Sequence, residues 1–294
     1  MSAGASSQAS LARRPIGVFD SGVGGLTVLR ALRAALPEES FLYLGDTARL
    51  PYGTKSEHTV VRYALQAADE LVGREIKCLV IACNTASAAA LPALQERYAD
   101  LPVIGVIEPG ARAACAGSPS GRIAVLGTEG TVQGGAYTRS ILRIRPDAQV
   151  SGIACSLFVA LAEEGWTDGA VATAAAARYL APLREGGAAN PDMLVLACTH
   201  FPVLAPVIAA SVGPRMRIVD SAATTAAAVG AELKRSGLLR GAAPTLEGRA
   251  TGISAPARGQ VGFLATDGAA RFASVGSRFL GEPISAGEVE QIDL

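Results

Sequence analysis

The stretch LVIACNT (79–85) recurs later in the chain as LVLACTH (194–200). Each copy is a short apolar run, the pattern of a strand buried on both faces of a parallel sheet, and each ends on a cysteine followed by small polar residues. A second pair keeps the same order, with IGVFDSG (16–22) matching IAVLGTE (123–129). This duplication predicts an α/β fold of two pseudo-symmetric lobes with mainly parallel sheets. Each half ends one strand on a polar loop and another on a cysteine, Cys83 or Cys198. Ligands of open α/β sheets bind beyond the carboxyl ends of the strands, so both cysteines are placed at functional edges and the site falls in the cleft between the lobes.

The same alternation extends in both directions. Apolar runs predict strands at 16–19, 41–44, 78–82, 102–107, 122–127, 193–197, 217–220 and 260–265, separated by Ala- and Leu-rich segments of helical spacing. Helices are expected near 25–36, 57–74, 86–98, 133–143, 169–185, 203–211, 223–236 and 268–280. Residues 1–14, rich in Ala, Ser and Gly, read as a disordered tail without the apolar core of a signal peptide. At 294 residues the chain is long enough for two domains.

Charge and cysteine content exclude several classes of function. Acidic and basic residues balance at 26 each without a block of one sign, so bulk electrostatics predicts neither a nucleic-acid nor a membrane-surface partner. Residues 193–214 carry no Asp, Glu, Lys or Arg. Pro202, Pro206, Gly213 and Pro214 nevertheless interrupt that run, which reads as strand, turn and helix rather than a membrane span. Five cysteines without a CxxC pair imply reduced thiols and a cytoplasmic location.

Two opposed cysteines suit the inversion of a stereocentre that carries hydrogen. One base must remove a proton from one face and an acid must return one to the other. A thiol, ordinarily titrating at about 8.5, exchanges these roles after modest tuning. Each cysteine precedes an expected helix start, where free N–H groups and the helix dipole favour a thiolate and hold a carboxylate. Asn84, Thr85, Thr199 and His200 add neutral hydrogen-bonding groups. Asp20, His200 and Glu163 are candidates to pass protons beside the thiols.

Other readings of these motifs are weaker. Cys78, Cys115 and Cys155 are expected to be buried structural residues, and His58 an ordinary helix-start residue. Cys83, Cys198 and His200 lack a fourth partner for zinc. The Gly22-Val23-Gly24 turn, with Asp46 ending the next strand, resembles a dinucleotide loop, yet Thr27 holds the third glycine position and Asp20 would face the pyrophosphate. The Lys55 segment lacks the glycine of a phosphate loop, and none of Lys55, Lys77 and Lys234 sits in a recognisable pyridoxal site. Glu108 reads as a brace between lobes. A non-enzymatic module that binds an acidic amino acid would use the same loops and dispense with the thiols.

Six blocks carry a resemblance that covers the chain from about residue 15 to its end: FDSGVGGLTVL (19–29), GDTARLPYG (45–53), ACNTAS (82–87), PVIGVIEPG (102–110), SLFVALAEEGW (156–166) and ACTHFPVL (197–204). Together they make the sequence similar to the glutamate racemases of the aspartate/glutamate racemase superfamily. The resemblance implies interconversion of L- and D-glutamate for peptidoglycan without pyridoxal phosphate, metal or nucleotide. It makes Cys83 and Cys198 the two bases, Cys83 serving D-glutamate and Cys198 L-glutamate, and gives assisting roles to Asp20, Glu163 and His200. Substrate contacts map to Asp20, Ser21, Tyr52, Gly53, Asn84, Thr85, Thr199 and His200, with Thr128 and Thr131 as further candidates. The family fold is discontinuous, so residues 15–107 and 221–294 are expected to form the first lobe and 108–220 the second. A homodimer is the expected assembly, and aspartate or hydantoin racemase is the nearest alternative activity.

Overall fold

The computed structural model describes Gln8 and residues 10–184, 190–240 and 259–294. In chain order the strands are β1 (Ile16–Asp20), β2 (Phe41–Gly45), β3 (Cys78–Ile81), β4 (Val103–Gly105), β5 (Arg122–Gly127), β6 (Gln149–Ala154), β7 (Met193–Ala197), β8 (Arg217–Asp220), β9 (Val261–Ala265) and β10 (Val289–Gln291). The α-helices are α1 (Leu26–Ala35), α2 (Glu57–Gly73), α3 (Asn84–Arg97), α4 (Ile107–Gly117), α5 (Glu129–Gln133), α6 (Ala136–Ile144), α7 (Leu157–Glu164), α8 (Gly169–Leu180), α9 (Ala205–Val212), α10 (Ser221–Arg235) and α11 (Ala269–Leu280).

Two all-parallel sheets form, one of six strands in the order β10-β9-β2-β1-β3-β4 and one of four in the order β6-β5-β7-β8. The run β2-β1-β3-β4 repeats as β6-β5-β7-β8, so the sequence duplication is a duplication of sheet topology. Strand order reverses between β1 and β3, and again between β5 and β7, which makes the carboxyl ends of these pairs the crevices where ligands bind. Phe19 lies opposite Ile81 and Gly127 opposite Ala197, which sets Asp20-Ser21 beside Cys83 and Thr128 beside Cys198.

Central strands read as unbroken apolar runs because helices cover both faces: β1 and β7 are buried at every residue. One apolar cluster runs from Ile16 and Val18 in the first sheet to Leu126 and Cys198 in the second, and a separate cluster under α2 and α3 includes Cys83. The two thiols therefore belong to different cores.

Several expectations are corrected. The strand expected at 102–107 ends at Gly105, and α4 begins at Ile107, where Pro109 lies in the first turn and costs no helical hydrogen bond. The helix expected at 133–143 starts at Ala136, after Gly134 and Gly135 part it from the short α5. The helix expected at 169–185 ends at Leu180 and is followed by a 3-10 turn over Ala181–Leu183, and residue 185 lies outside the described residues. Of the expected tail, Gln8 and residues 10–13 are helical, and the buried Lys77 Nζ donates to the Ala12 and Leu238 carbonyls and pairs with Glu39. Residues 1–7 and 9 of that tail, and 241–258 of the expected first lobe, lie outside the described residues. Among the described residues no helix is long and apolar enough to cross a membrane, and the uncharged run 193–214 is a strand, a 3-10 turn and α9.

Candidate active site

Cys83 leaves β3 and caps α3. Its sulfur accepts from Ala86 N at 3.4 Å, and the thiol lies 3.4 Å from Ser21 Oγ at the end of the neighbouring β1. Thiols are unusual caps, so the expected helix start at 86 falls two residues late. Burial pushes the Cys83 thiol up to about 12, the Asp20 charge adds to the rise, and hydrogen bonding with Ser21 Oγ and from Ala86 N opposes it.

Cys198 sits differently. It ends β7 and leads into a 3-10 turn (Phe201–Leu204) before α9, so no α-helix starts at its sulfur. Its support is a side-chain relay: His200 Nδ1 lies 3.9 Å from Cys198 Sγ, and His200 Nε2 lies 3.1 Å from Glu163 Oε1. Burial opposes a charged imidazole here. The bonds to Cys198 and Glu163, with the charges of Cys198 and Asp20, nevertheless hold His200 up to about 10. A proton on each ring nitrogen would let His200 donate to Cys198 and to Glu163 together. Glu163 titrates below its ordinary value because of the bond to His200, with Arg271 assisting against the cost of burial.

The two thiols line one cavity of about 40 Å3, whose walls also include Ser21, Pro51, Tyr52, Gly53, Asn84 and Thr85 from one side and Thr128, Thr131, Val159, Thr199 and His200 from the other. The hydroxyls of Thr85, Thr128 and Thr131 form a triangle with sides of 3.1 to 3.2 Å. Asn84 Nδ2 is buried without a hydrogen-bond partner among the described residues. Such a donor costs free energy unless a ligand or water accepts from it. Tyr52 is held by its hydroxyl bond to Asp46, which also accepts from Arg49 Nε at 2.7 Å and Thr266 Oγ1 at 2.9 Å.

Asp20 and Glu163 stand behind this wall. Asp20 accepts from Gly22 N at 3.0 Å, has no hydrogen-bond partner for Oδ1 among the described residues, and has its pKa raised by burial against the opposing pull of His200. Glu163 reaches His200 from the outer side. Among the described residues no group of three or more His, Cys, Asp or Glu is arranged to hold a metal ion. Two glycines of the 22–25 turn allow close approach, Gly24 to the other half of the chain and Gly25 within its own. A Cβ at Gly24 would fall 2.4 Å from His200 Nδ1, and one at Gly25 would fall 2.5 Å from the Asp20 side chain. Glu108 accepts from Ser140 at 2.9 Å and pairs with Arg112 and Arg143, tying α4 to α6.

Sequence reasoning missed several participants. Tyr137 donates to Asn84 Oδ1 at 2.8 Å, Thr27 Oγ1 donates to the Thr199 carbonyl at 3.0 Å, and Arg271 and Arg278 of α11 reach Glu163. All are contacts between distant parts of the chain that leave no local pattern.

Two thiols at the switch points of two duplicated sheets, lining one cavity, define a class. The chain belongs to the Asp/Glu/hydantoin racemase family, whose profile matches residues 23–229, and it is a racemase. The similarity then narrows. A Geobacter metallireducens protein described as a glutamate racemase is 51% identical over 96% of this chain and 97% of its own. The crystal structure of the glutamate racemase isoform RacE1 from Bacillus anthracis superposes with a TM-score of 0.85 at 36% identity, covering 96% of this chain and 98% of that one. That of the Francisella tularensis glutamate racemase in complex with D-glutamate gives 0.83 at 34% identity, covering 96% and 98%.

Proposed function

We propose that the chain interconverts L- and D-glutamate by carrying the α-proton between Cys83 and Cys198, with no cofactor. The observation that supports this best is the one cavity walled by both thiols together with the polar groups of Ser21, Tyr52, Asn84, Thr85, Thr128, Thr131, Thr199 and His200. The glutamate racemases at up to 51% identity, and the D-glutamate complex of the Francisella relative, favour glutamate over aspartate or a hydantoin.

In the L-to-D direction a thiolate at Cys198 takes the α-proton, and the imidazolium of His200 gives that thiolate a hydrogen bond and a counter-charge. The Cys83 thiol, kept protonated by burial, returns a proton to the opposite face. One C–H bond breaks and another forms, and negative charge passes from one sulfur to the other. The D-to-L reaction resets the pair. Asn84 Nδ2 and the hydroxyls of Thr85, Thr128 and Thr131 are placed for a carboxylate, and Ser21, Tyr52, Gly53, Thr199 and His200 complete the substrate contacts. Asp20 assists Cys83, and Glu163 positions His200.

Walls from both halves of the chain line the cavity, so entry of an amino acid is read as a parting of the lobes. Closure then excludes water and aligns the thiols. The moving bodies are residues 15–107 with 221–294 against 108–220. The family resemblance extends this reading to D-glutamate supply for peptidoglycan, a cytoplasmic location and a homodimer.

Circular dichroism with L-glutamate and L-aspartate offered separately tests the proposal. The signal of L-glutamate is expected to decay to zero while that of L-aspartate persists. A persistent glutamate signal rejects the activity, and decay of the aspartate signal alone moves the reading to an aspartate racemase.

A further inference from the structure

Tyr137 lies on α6, in the half of the molecule opposite Asn84, and is buried with its ring against Gly110. Its hydroxyl donates to Asn84 Oδ1 at 2.8 Å. Asn84 is 3% exposed and lines the cavity that both thiols share, and its Nδ2 has no partner among the described residues. A primary amide offers two acceptor lone pairs on one side and two N–H groups on the other, and a half-turn of the side chain exchanges them at little cost in shape. Something must therefore decide which end faces the ligand.

We propose that Tyr137 is a positioning residue for substrate binding: its hydroxyl fixes the Asn84 amide with the oxygen turned away and the N–H groups turned into the cavity, ready for a carboxylate. The inference rests on the racemase reading of this cavity. A tyrosine hydroxyl has one proton to place. With the amide as it stands, that proton goes to Oδ1 and the ligand takes up the orphaned donor. With the amide turned over, Tyr137 would accept from Nδ2, its own proton would lose its acceptor, and the Asn84 oxygen would meet the ligand carboxylate. The second arrangement leaves a buried donor unmet and sets two acceptors against each other, which is the costlier error. Burial and the neighbouring Cys198 both push the Tyr137 phenol up, which keeps it a donor whenever charge resides on that sulfur. Because the two residues sit in opposite halves, the bond forms only when the halves meet, so the carboxylate donor is oriented as the cleft closes.

The test is a double-mutant cycle on the full chain, reading the KM for each enantiomer and the binding of racemic glutamate by titration calorimetry. Calorimetry keeps the readout available where turnover is lost, and a racemic mixture gives no net reaction heat. Tyr137→Phe keeps the ring and its packing, and an unchanged melting temperature verifies this. It is expected to weaken binding and raise KM about three- to tenfold, with kcat changed by less than about twofold. In an Asn84→Ala background the same change should move binding by less than about twofold. Asn84→Asp, which still accepts from Tyr137 but offers no donor, should bind at least about tenfold more weakly. Unchanged binding in Tyr137→Phe, or an equal loss in the Asn84→Ala background, overturns the positioning role. If the wild type itself shows no binding heat and no turnover with glutamate, the functional reading has failed along with it.

Discussion

The two cysteines occupy equivalent places in a duplicated topology, yet their surroundings are built differently. Cys83 is served by its own lobe: the helix it caps begins at the next residue, and Ser21 and Asp20 come from the adjacent strand of the same sheet. Cys198 is served across the cleft. His200 belongs to its own loop, but Gly24 and Thr27 of the first half pack against that loop. Phe279 of α11 meets the His200 ring edge-on at 5.1 Å, and Arg271 and Arg278 hold Glu163. The surroundings of Cys83 come from one lobe, and those of Cys198 are completed by contacts from the other. On the proposed mechanism a symmetric reaction would be run by an asymmetric pair.

The contrast can be broken most sharply at Gly24. An alanine there would set its Cβ 2.4 Å from His200 Nδ1 and 2.5 Å from Thr199 Oγ1, and His200 cannot yield while Glu163 and Phe279 hold it. Gly24→Ala is expected to lower kcat about a hundredfold, since displacement of reacting groups by about 1 Å costs that much. Gly22→Ala is the control. Its Cβ meets only Leu50 at 3.5 Å, so steady-state turnover should stay close to wild type. Equal losses in the two variants would show that the approach to His200 does not matter.

A smaller effect is expected farther along the relay. Glu163→Gln removes the charged acceptor that holds His200 up to about 10, so the imidazole should lose its proton at lower pH and the alkaline limb of kcat should move toward neutrality. Turnover at pH 8 should fall about tenfold, and Arg271→Gln, on a largely exposed side chain, should cost only about twofold. Because the enantiomers are equal in free energy, kcat/KM must fall equally in both directions even though the lesion lies on one side. The raised pKa of His200 also contributes stability that is complete below its ordinary value of 6.5 and is lost as the pH climbs toward 10. Melting curves of Glu163→Gln should show that decline flattened. An alkaline limb unmoved in Glu163→Gln would remove Glu163 from the account.

What the sequence could show divides along the same line. Strands buried on both faces announce themselves as apolar runs, and the repeat of LVIACNT as LVLACTH reported the sheet duplication directly. The edge strands β6 and β10 escaped because residues such as Gln149, Ser151 and Glu290 face solvent and carry no apolar run. Helix α4 hid behind Pro109 and Gly110, which read locally as a turn. Residues that meet within a lobe, such as Ser21 and Cys83, follow from strand register. Contacts made between lobes do not: Tyr137 with Asn84, Thr27 with Thr199, and Arg271 with Glu163 are 53, 172 and 108 residues apart. Their partners are fixed by how two sheets dock, which no local periodicity encodes.

The claim on which the rest depends is that two sulfurs work from opposite faces of one carbon. Its most direct test is to start the reaction in deuterated water with L-glutamate, and separately with D-glutamate, and to read the α-position by NMR or mass spectrometry at low conversion. Two bases predict a product that carries deuterium, drawn from the far thiol, beside recovered substrate that keeps its original proton. Deuterium appearing equally in substrate and product, or a product that retains the substrate's own proton, would contradict it.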